Sequence, residues 1–209
     1  MKKLSIILFL IVIGINNVCS QDRMKFMGKS MDCTPKEMKT YLLGRGLTLQ
    51  GEIKNGIILQ GSFQGYLGCD VIIRHDYDVI TFCRVVLPKE SVLVSWGQLY
   101  ADYQNIVSKI SAKYGEPTVE EYFEDNPSYG LSDYNKIDQV RDSKCHYSST
   151  FLVGDYGLII VNIDNSERGY ISYFDMANYK KFEDLQNDEL EKQALVLLSS
   201  KKNITGVQS

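Results

Sequence analysis

Residues 95–117, SWGQLYADYQNIVSKISAKYGEP, limit what this chain can fold into more than any other stretch. Trp96, Tyr100, Tyr103, Val107, Ile110 and Tyr114 recur at alternating spacings of four and three, which draws one apolar stripe down an α-helix. Leu99 and Ile106 widen that stripe. Ser95 and Gln98 are placed as a capping box, with Val94 and Leu99 positioned as a hydrophobic staple. Gly115 and Pro117 close the helix, because glycine accepts a left-handed conformation and proline cannot continue the hydrogen-bond ladder. At ~1.5 Å per residue the helix is roughly 28 Å long, about the width of a small domain. Such a stripe must be buried, and the flanking segments supply a sheet for it to lie across.

The first twenty residues read as a secretory signal peptide: Lys2 and Lys3, an apolar run over residues 4–15, then Val18-Cys19-Ser20 before Gln21. The run is shorter than the ~20 residues of a membrane span. A lipoprotein reading would anchor on Cys19, but Asn16-Asn17-Val18 lacks the small residue that precedes a lipidated cysteine. The expectation is cleavage after Ser20 and export to the periplasm or beyond the cell. Loss of the two lysines moves the formal charge from −3 to −5. That acidic balance gives no footprint for nucleic acid, and no later run is long and apolar enough to span a membrane.

Residues 21–199 are predicted to form one α+β domain, with 200–209 as a flexible tail. Thr34-Pro35-Lys36-Glu37 opens a short helix whose face is Met38, Tyr41 and Leu42, ended by Gly44 and Gly46. Four strands follow at 47–53, 57–63, 66–74 and 79–87, joined by short turns, so their pairing should be antiparallel. After the long helix comes a short strand at 119–123 and an irregular polar stretch at 124–144. That stretch is long enough to be either partly helical, through Tyr134, Ile137 and Val140, or functional. Strands resume at 145–153, 158–163 and 169–174, and a helix closes the chain over 183–199. The order suggests a loose duplication of α-β4-α-β3 type, with half-units 26–94 and 95–180 and helices packed on one face of antiparallel meanders.

Several of these residues carry a resemblance. Phe26-Met27-Gly28, then Asp32, Thr34, Glu37 and Met38, the Trp96 helix ending Lys113-Tyr114-Gly115, and Lys144-Cys145-x-Tyr147 resemble small exported proteins of gut Bacteroidetes. Phe151, the alternation Gly157-x-Ile159-x-Val161-x-Ile163 and Tyr170 to Tyr173 extend the likeness over most of the mature chain. Its motifs are caps, turns and strand alternation, and it implies no activity. The layout also looks loosely like the helix-plus-meander modules of β-lactamase-inhibitor-like and outer-membrane assembly lipoproteins. That likeness implies protein binding by analogy of fold.

Chemistry-bearing motifs are sparse. His75 sits in a polar turn sequence, and His146 adjoins Cys145 on a strand, where neighbours face opposite ways. No C-x-x-C, H-x-x-x-H or H-E-x-x-H spacing occurs, so no metal or other cofactor is expected. Cys33, Cys69, Cys83 and Cys145 form an even set suited to an oxidising compartment, where four cysteines allow three pairings. If His75-Asp76-Tyr77 makes a three-residue tip, Cys69 faces Cys83 and leaves Cys33 with Cys145. A one-residue shift abolishes the first pair. Glu120, Glu121, Glu124 and Asp125 cluster after the long helix, as glycoside hydrolysis would need in a cleft, although such clusters are commonly solvated faces.

Fourteen tyrosines are present. Tyr122, Tyr129 and Tyr134 fall in or near the irregular stretch, where exposed aromatics suit protein recognition. Equally, they could cover the ends of a sheet. The expected role is that of an exported, non-enzymatic protein binding an envelope component, or acting as an inhibitor or immunity protein. The alternative is a small envelope hydrolase using Glu120, Glu121 or Asp125.

Overall fold

A computed structural model describes residues 23–89, 94–124 and 132–205, with side chains up to residue 193. The expected signal peptide, Asp125, Tyr129 and the last four residues lie outside the described residues. Four helices and ten strands are present among those described. A short ribbon of β1 (Lys25–Phe26) and β2 (Lys29–Ser30) leads into α1 (Pro35–Gly44). Strands β3 (Thr48–Ile53), β4 (Gly56–Phe63), β5 (Tyr66–Asp76) and β6 (Val79–Val86) form the first meander. The long helix α2 (Trp96–Tyr114) follows, then β7 (Thr118–Phe123), α3 (Asp133–Arg141), β8 (Cys145–Val153), β9 (Gly157–Asp164), β10 (Arg168–Asp175) and α4 (Met176–Thr205).

The expected α+β class holds, and both meanders merge into one antiparallel eight-stranded sheet of order β3-β4-β5-β6-β10-β9-β8-β7. Each half starts at an outer edge and ends at the centre, where β6 and β10 pair through Tyr173↔Cys83 and its neighbours. The helices pack on one face. Alternation along the strands explains why. Ile57, Leu59, Val71, Ile73, Cys83, Val85, Ile171, Ile159 and Val161 are all buried on that face, beneath Leu99, Tyr103, Ile106 and Ile110 of α2. Each of these α2 side chains contributes about 2 kcal/mol by leaving water.

The helix ends follow the sequence with one difference. Thr34 forms the full capping box with Glu37. Ser95 accepts from the Gln98 amide, but the Gln98 side chain donates to Asp102 at 3.2 Å instead of returning to the cap. Gly28 must be glycine: its φ is +97°, and a Cβ there would sit 3.0 Å from the Tyr41 hydroxyl, which donates to the Met27 carbonyl.

Two expectations change, and of the two alternatives for the polar stretch the partly helical one is met. The closing helix begins at Met176, not 183, because Asp175 caps it: its Oδ1 accepts from the Ala177 and Asn178 amides, each at 3.1 Å. The polar stretch after β7 contains α3, which buries Ile137 and Val140. The β5–β6 hairpin turns on Tyr77-Asp78, with φ of +46° and +59°, and a bulge lies between Arg74 and His75. That register places Cys83 opposite Ile73, four residues along β5 from Cys69. At ~3.4 Å per residue the offset is about 14 Å, twice the reach of a disulfide. Cys69 and Cys83 therefore do not pair, and Cys33 and Cys145 are likewise free thiols.

Glu167, 6% exposed, ties two segments to the β9–β10 turn. It pairs with Lys89 at 2.5 Å and with Arg141 of α3. Burial alone would raise its carboxyl, but hydrogen bonds from Lys89 and Arg141 hold it below its ordinary value. A depressed carboxylate stabilises the fold above its unfolded pKa, ~4.3, and that contribution disappears as pH falls through the folded value. Glu167→Gln should therefore lower the melting temperature at pH 7 by about 3 °C. Thermal melts of both proteins from pH 7 to pH 3 should show the gap closing at the acid end. A gap independent of pH would contradict the assignment.

Candidate functional site

Among the described residues no helix packs on the second face of the sheet, and its side chains are left uncovered. Three rows cross its centre in register. Ile72, Arg84, Ser172 and Ile160 form the middle row. Arg74, Phe82, Phe174 and Leu158 lie on one side of it, and Asp70, Val86, Tyr170 and Asn162 on the other. Most of these residues are half-buried, whereas their neighbours on the helix face are nearly all fully buried.

Arg84 is the centre of this surface. Its Nε donates to the Ser172 hydroxyl at 2.9 Å. The guanidinium carbon lies 5.1 Å from the Phe82 ring centre and 5.3 Å from that of Tyr170, within cation–π range. Phe82 in turn packs on Phe174, with ring centres 5.6 Å apart. The rings and the serine hold the group in one orientation. A guanidinium has five N–H donors, and among the described residues Arg84 meets no carboxylate. Asp70, the acid on the neighbouring strand β5, is already paired with Arg168 at 3.4 Å. A shallow hollow of about 290 Å³ opens beside Arg84, lined also by Glu120, Ser148 and Phe174. Chemically, the arrangement presents a fixed, half-buried cation between aromatic rings and beside a mixed polar hollow, suited to receiving one carboxylate in a bidentate manner.

The residues singled out from sequence fall on both sides of the sheet. Tyr122, 52% exposed, is on the open face at the β7 edge, stacked on His146 with ring centres 4.6 Å apart. Tyr134, 71% exposed, is on α3, which packs with α2 on the helix side. The two tyrosines do not share a surface. Glu120 and Glu121, adjacent on β7, point to opposite faces. Glu120 lines the hollow near Arg84, whereas Glu121 accepts from the Gln104 amide at 3.0 Å on the helix side. Glu124 bonds to His146 at 2.6 Å. No two of these carboxylates converge on a cleft.

The thiols are not poised as nucleophiles. Burial pushes Cys69 up to about 11 and Cys145 up to about 12, and raises Cys33 and Cys83 as well. Among the described residues no group of three His, Cys, Asp or Glu side chains is arranged to hold a metal ion, and no helix is long and apolar enough to cross a membrane. Arg84 escaped the sequence reading because its neighbours in space come from β10. The one available signal was an arginine inside the apolar strand sequence VITFCRVV. No family model, no curated protein and no solved structure matches the chain.

Proposed function

We propose that this chain is an exported, non-enzymatic binding protein whose uncovered sheet face holds a protein partner, with Arg84 receiving a carboxylate of that partner. The observation that carries this reading is Arg84 itself. A half-buried guanidinium is fixed by Ser172, Phe82 and Tyr170 and left without an anion among the described residues. Arginine and tyrosine held in a half-buried, aromatic surround are the residue types that dominate binding hot spots. The size of the face fits as well. Seven strand spacings of ~4.8 Å by roughly 20 Å of strand length give about 700 Å², close to the ~800 Å² that each partner buries in a standard interface. The looser likeness to helix-plus-meander binding modules agrees with this, and Tyr122 would lie at the rim of the contact.

The test is affinity capture with the mature chain, residues 21–209, from envelope fractions, run beside Arg84→Met and Arg84→Glu. Methionine keeps an apolar stem over Phe82 and Tyr170, so the fold should persist. Capture should weaken about thirty-fold, equivalent to ~2 kcal/mol at a hot spot, and glutamate should abolish it. Tyr122→Ala should weaken it less. Lys36→Glu, on the helix side, should leave it unchanged. A partner retained at full affinity by Arg84→Glu would remove this face from the function.

A further inference from the structure

A second site lies on the opposite side of the sheet, at the C-terminal end of α2. There the β1–β2 ribbon, the end of α1, the β4–β5 turn and the last two turns of α2 surround an open cleft of about 430 Å³. Four cations line it: Lys25 on β1, Arg45 at the C-cap of α1, and Lys109 and Lys113 one turn apart on α2. Among the described residues its lining contains no carboxylate. Among the described residues none of the four cations forms an ion pair. Lys109 donates to the Gln64 carbonyl at 2.6 Å, and Lys113 lies over the Tyr114 ring at 4.7 Å. The chain carries a formal charge of −3, so four unneutralised cations around one hollow run against its overall balance. All four are exposed and solvated in the free protein, and a multiply charged anion in the hollow would meet their combined field.

The floor supplies the second observation. Phe63, Ile110 and Tyr173 are its base, and each is more than nine-tenths buried. Tyr173 is wedged edge-on against Phe26 and Phe63, with ring centres at 5.2 and 6.4 Å. Its hydroxyl has no hydrogen-bond partner among the described residues, yet it lines the cleft. The ring is buried but the hydroxyl is open to the cleft, so a ligand there can take this donor in place of water. Burial raises the Tyr173 phenol, so it remains a neutral O–H donor at any physiological pH. A hydroxyl donor at the base and four cations at the rim form one oxyanion receptor.

We infer that this cleft binds a small molecule or sugar unit bearing two or more phosphate- or sulfate-type oxyanions, with the rim cations taking the charge and the Tyr173 hydroxyl donating to one oxygen. Two or more anionic groups are required because Lys25 and Arg45 approach the hollow from different elements than Lys109 and Lys113. A single monoanion would leave part of the rim unpaired. The site lies on the helix side, apart from Arg84, and does not depend on the protein-binding reading.

Titration calorimetry of the mature chain with orthophosphate, tripolyphosphate and a trisulfated disaccharide tests it. One of the two multiply charged probes should bind at least ten-fold more tightly than orthophosphate, with affinity falling as salt is raised. Preference for tripolyphosphate would identify a phosphorylated ligand, and preference for the disaccharide a sulfated glycan. Arg45→Glu with Lys113→Glu should weaken the favoured probe at least ten-fold. Tyr173→Phe should weaken it several-fold while the melting temperature stays within a degree or two. Lys180→Glu with Lys181→Glu, on the exposed part of α4, should have no effect. Equal loss from the α4 pair would reduce the binding to non-specific charge attraction. The inference is overturned by that result, or by no probe binding below ~10 mM.

Discussion

Asp175→Ala is expected to destabilise the protein by about 3–5 kcal/mol, the range for removing one partner of a buried charged network. Asp175 is fully buried. Its Oδ2 accepts from Arg23 Nε at 2.9 Å and from the Met24 amide at 3.1 Å, while its Oδ1 caps α4 through the Ala177 and Asn178 amides. One carboxylate therefore joins the start of the described chain, the last strand and the closing helix. Asn178 extends the junction: its Nδ2 donates to the Met31 carbonyl at 2.7 Å and to the Ile80 carbonyl at 3.0 Å. Alanine leaves three backbone amides and a helix N-terminus without their acceptor and takes one partner from Arg23, which keeps Asp32 at 3.2 Å and Asn178. For a domain of this size the loss should appear as a fall in melting temperature of about 10 °C. Asp175→Asn keeps a capping oxygen and should cost less, because asparagine caps as well as aspartate. Equal losses for alanine and asparagine would show that the charge pairing, not the cap, dominates. A change below 1 kcal/mol for alanine would contradict the junction.

That junction shows where sequence reasoning stops. Strand positions were legible because alternation writes burial directly into the chain: residues 57–63 and 145–153 mark β4 and β8 to within a residue. The start of α4 was not, since Tyr179-Lys180-Lys181 shows no apolar period and the cap at Asp175 closes a strand that already looked complete. The disulfide register failed for a comparable reason. A bulge between Arg74 and His75 and a two-residue turn at Tyr77-Asp78 shift the ladder, and neither leaves a mark in the sequence beyond a polar turn. Both candidate sites are assembled across the fold. Arg84 meets Ser172 and Tyr170 only because β6 pairs with β10, a choice of sheet order that strand patterns do not encode. The cationic cleft gathers residues 25, 45, 109 and 113 from two elements and a helix cap. The strand that carries Tyr122 was legible from sequence, and the side chain is 52% exposed on it. The side chain's place on the open face was not legible.

Trp96→Ala is expected to cost about 3–5 kcal/mol, as large-to-small changes of buried aromatics do. Trp96 is 6% exposed at the first turn of α2. Its ring stacks on Tyr100 at 5.6 Å and meets Phe123 of β7 at 5.0 Å and Tyr147 of β8 at 4.8 Å edge-on. Lys136 of α3 lies over its outer side at 5.9 Å. The indole is thus the contact through which α2, α3 and the β7–β8 edge of the sheet are held together, whereas the rest of α2 rests on the sheet centre. Next to it, Tyr103 and Ser149 share a buried hydrogen bond of 2.7 Å, and burial pushes the Tyr103 phenol up to about 12. That bond fixes the helix independently of the indole. Loss of Trp96 should therefore loosen one end of the fold before the other. Hydrogen exchange of Trp96→Ala should accelerate in β7, β8 and α3 while β4, β5 and β6 retain their protection. Trp96→Phe, which keeps an aromatic ring against Phe123 and Tyr147, should lose only about 1–2 kcal/mol. Uniform acceleration across all eight strands would mean that the sheet unfolds as one unit, and that the indole contributes general burial instead of a local joint. Protection confined to the centre would place the adaptable part of the molecule at the β7 edge, beside Tyr122 and the hollow next to Arg84. There, a partner that orders this edge would bind the tryptophan variant more weakly without touching Trp96 itself.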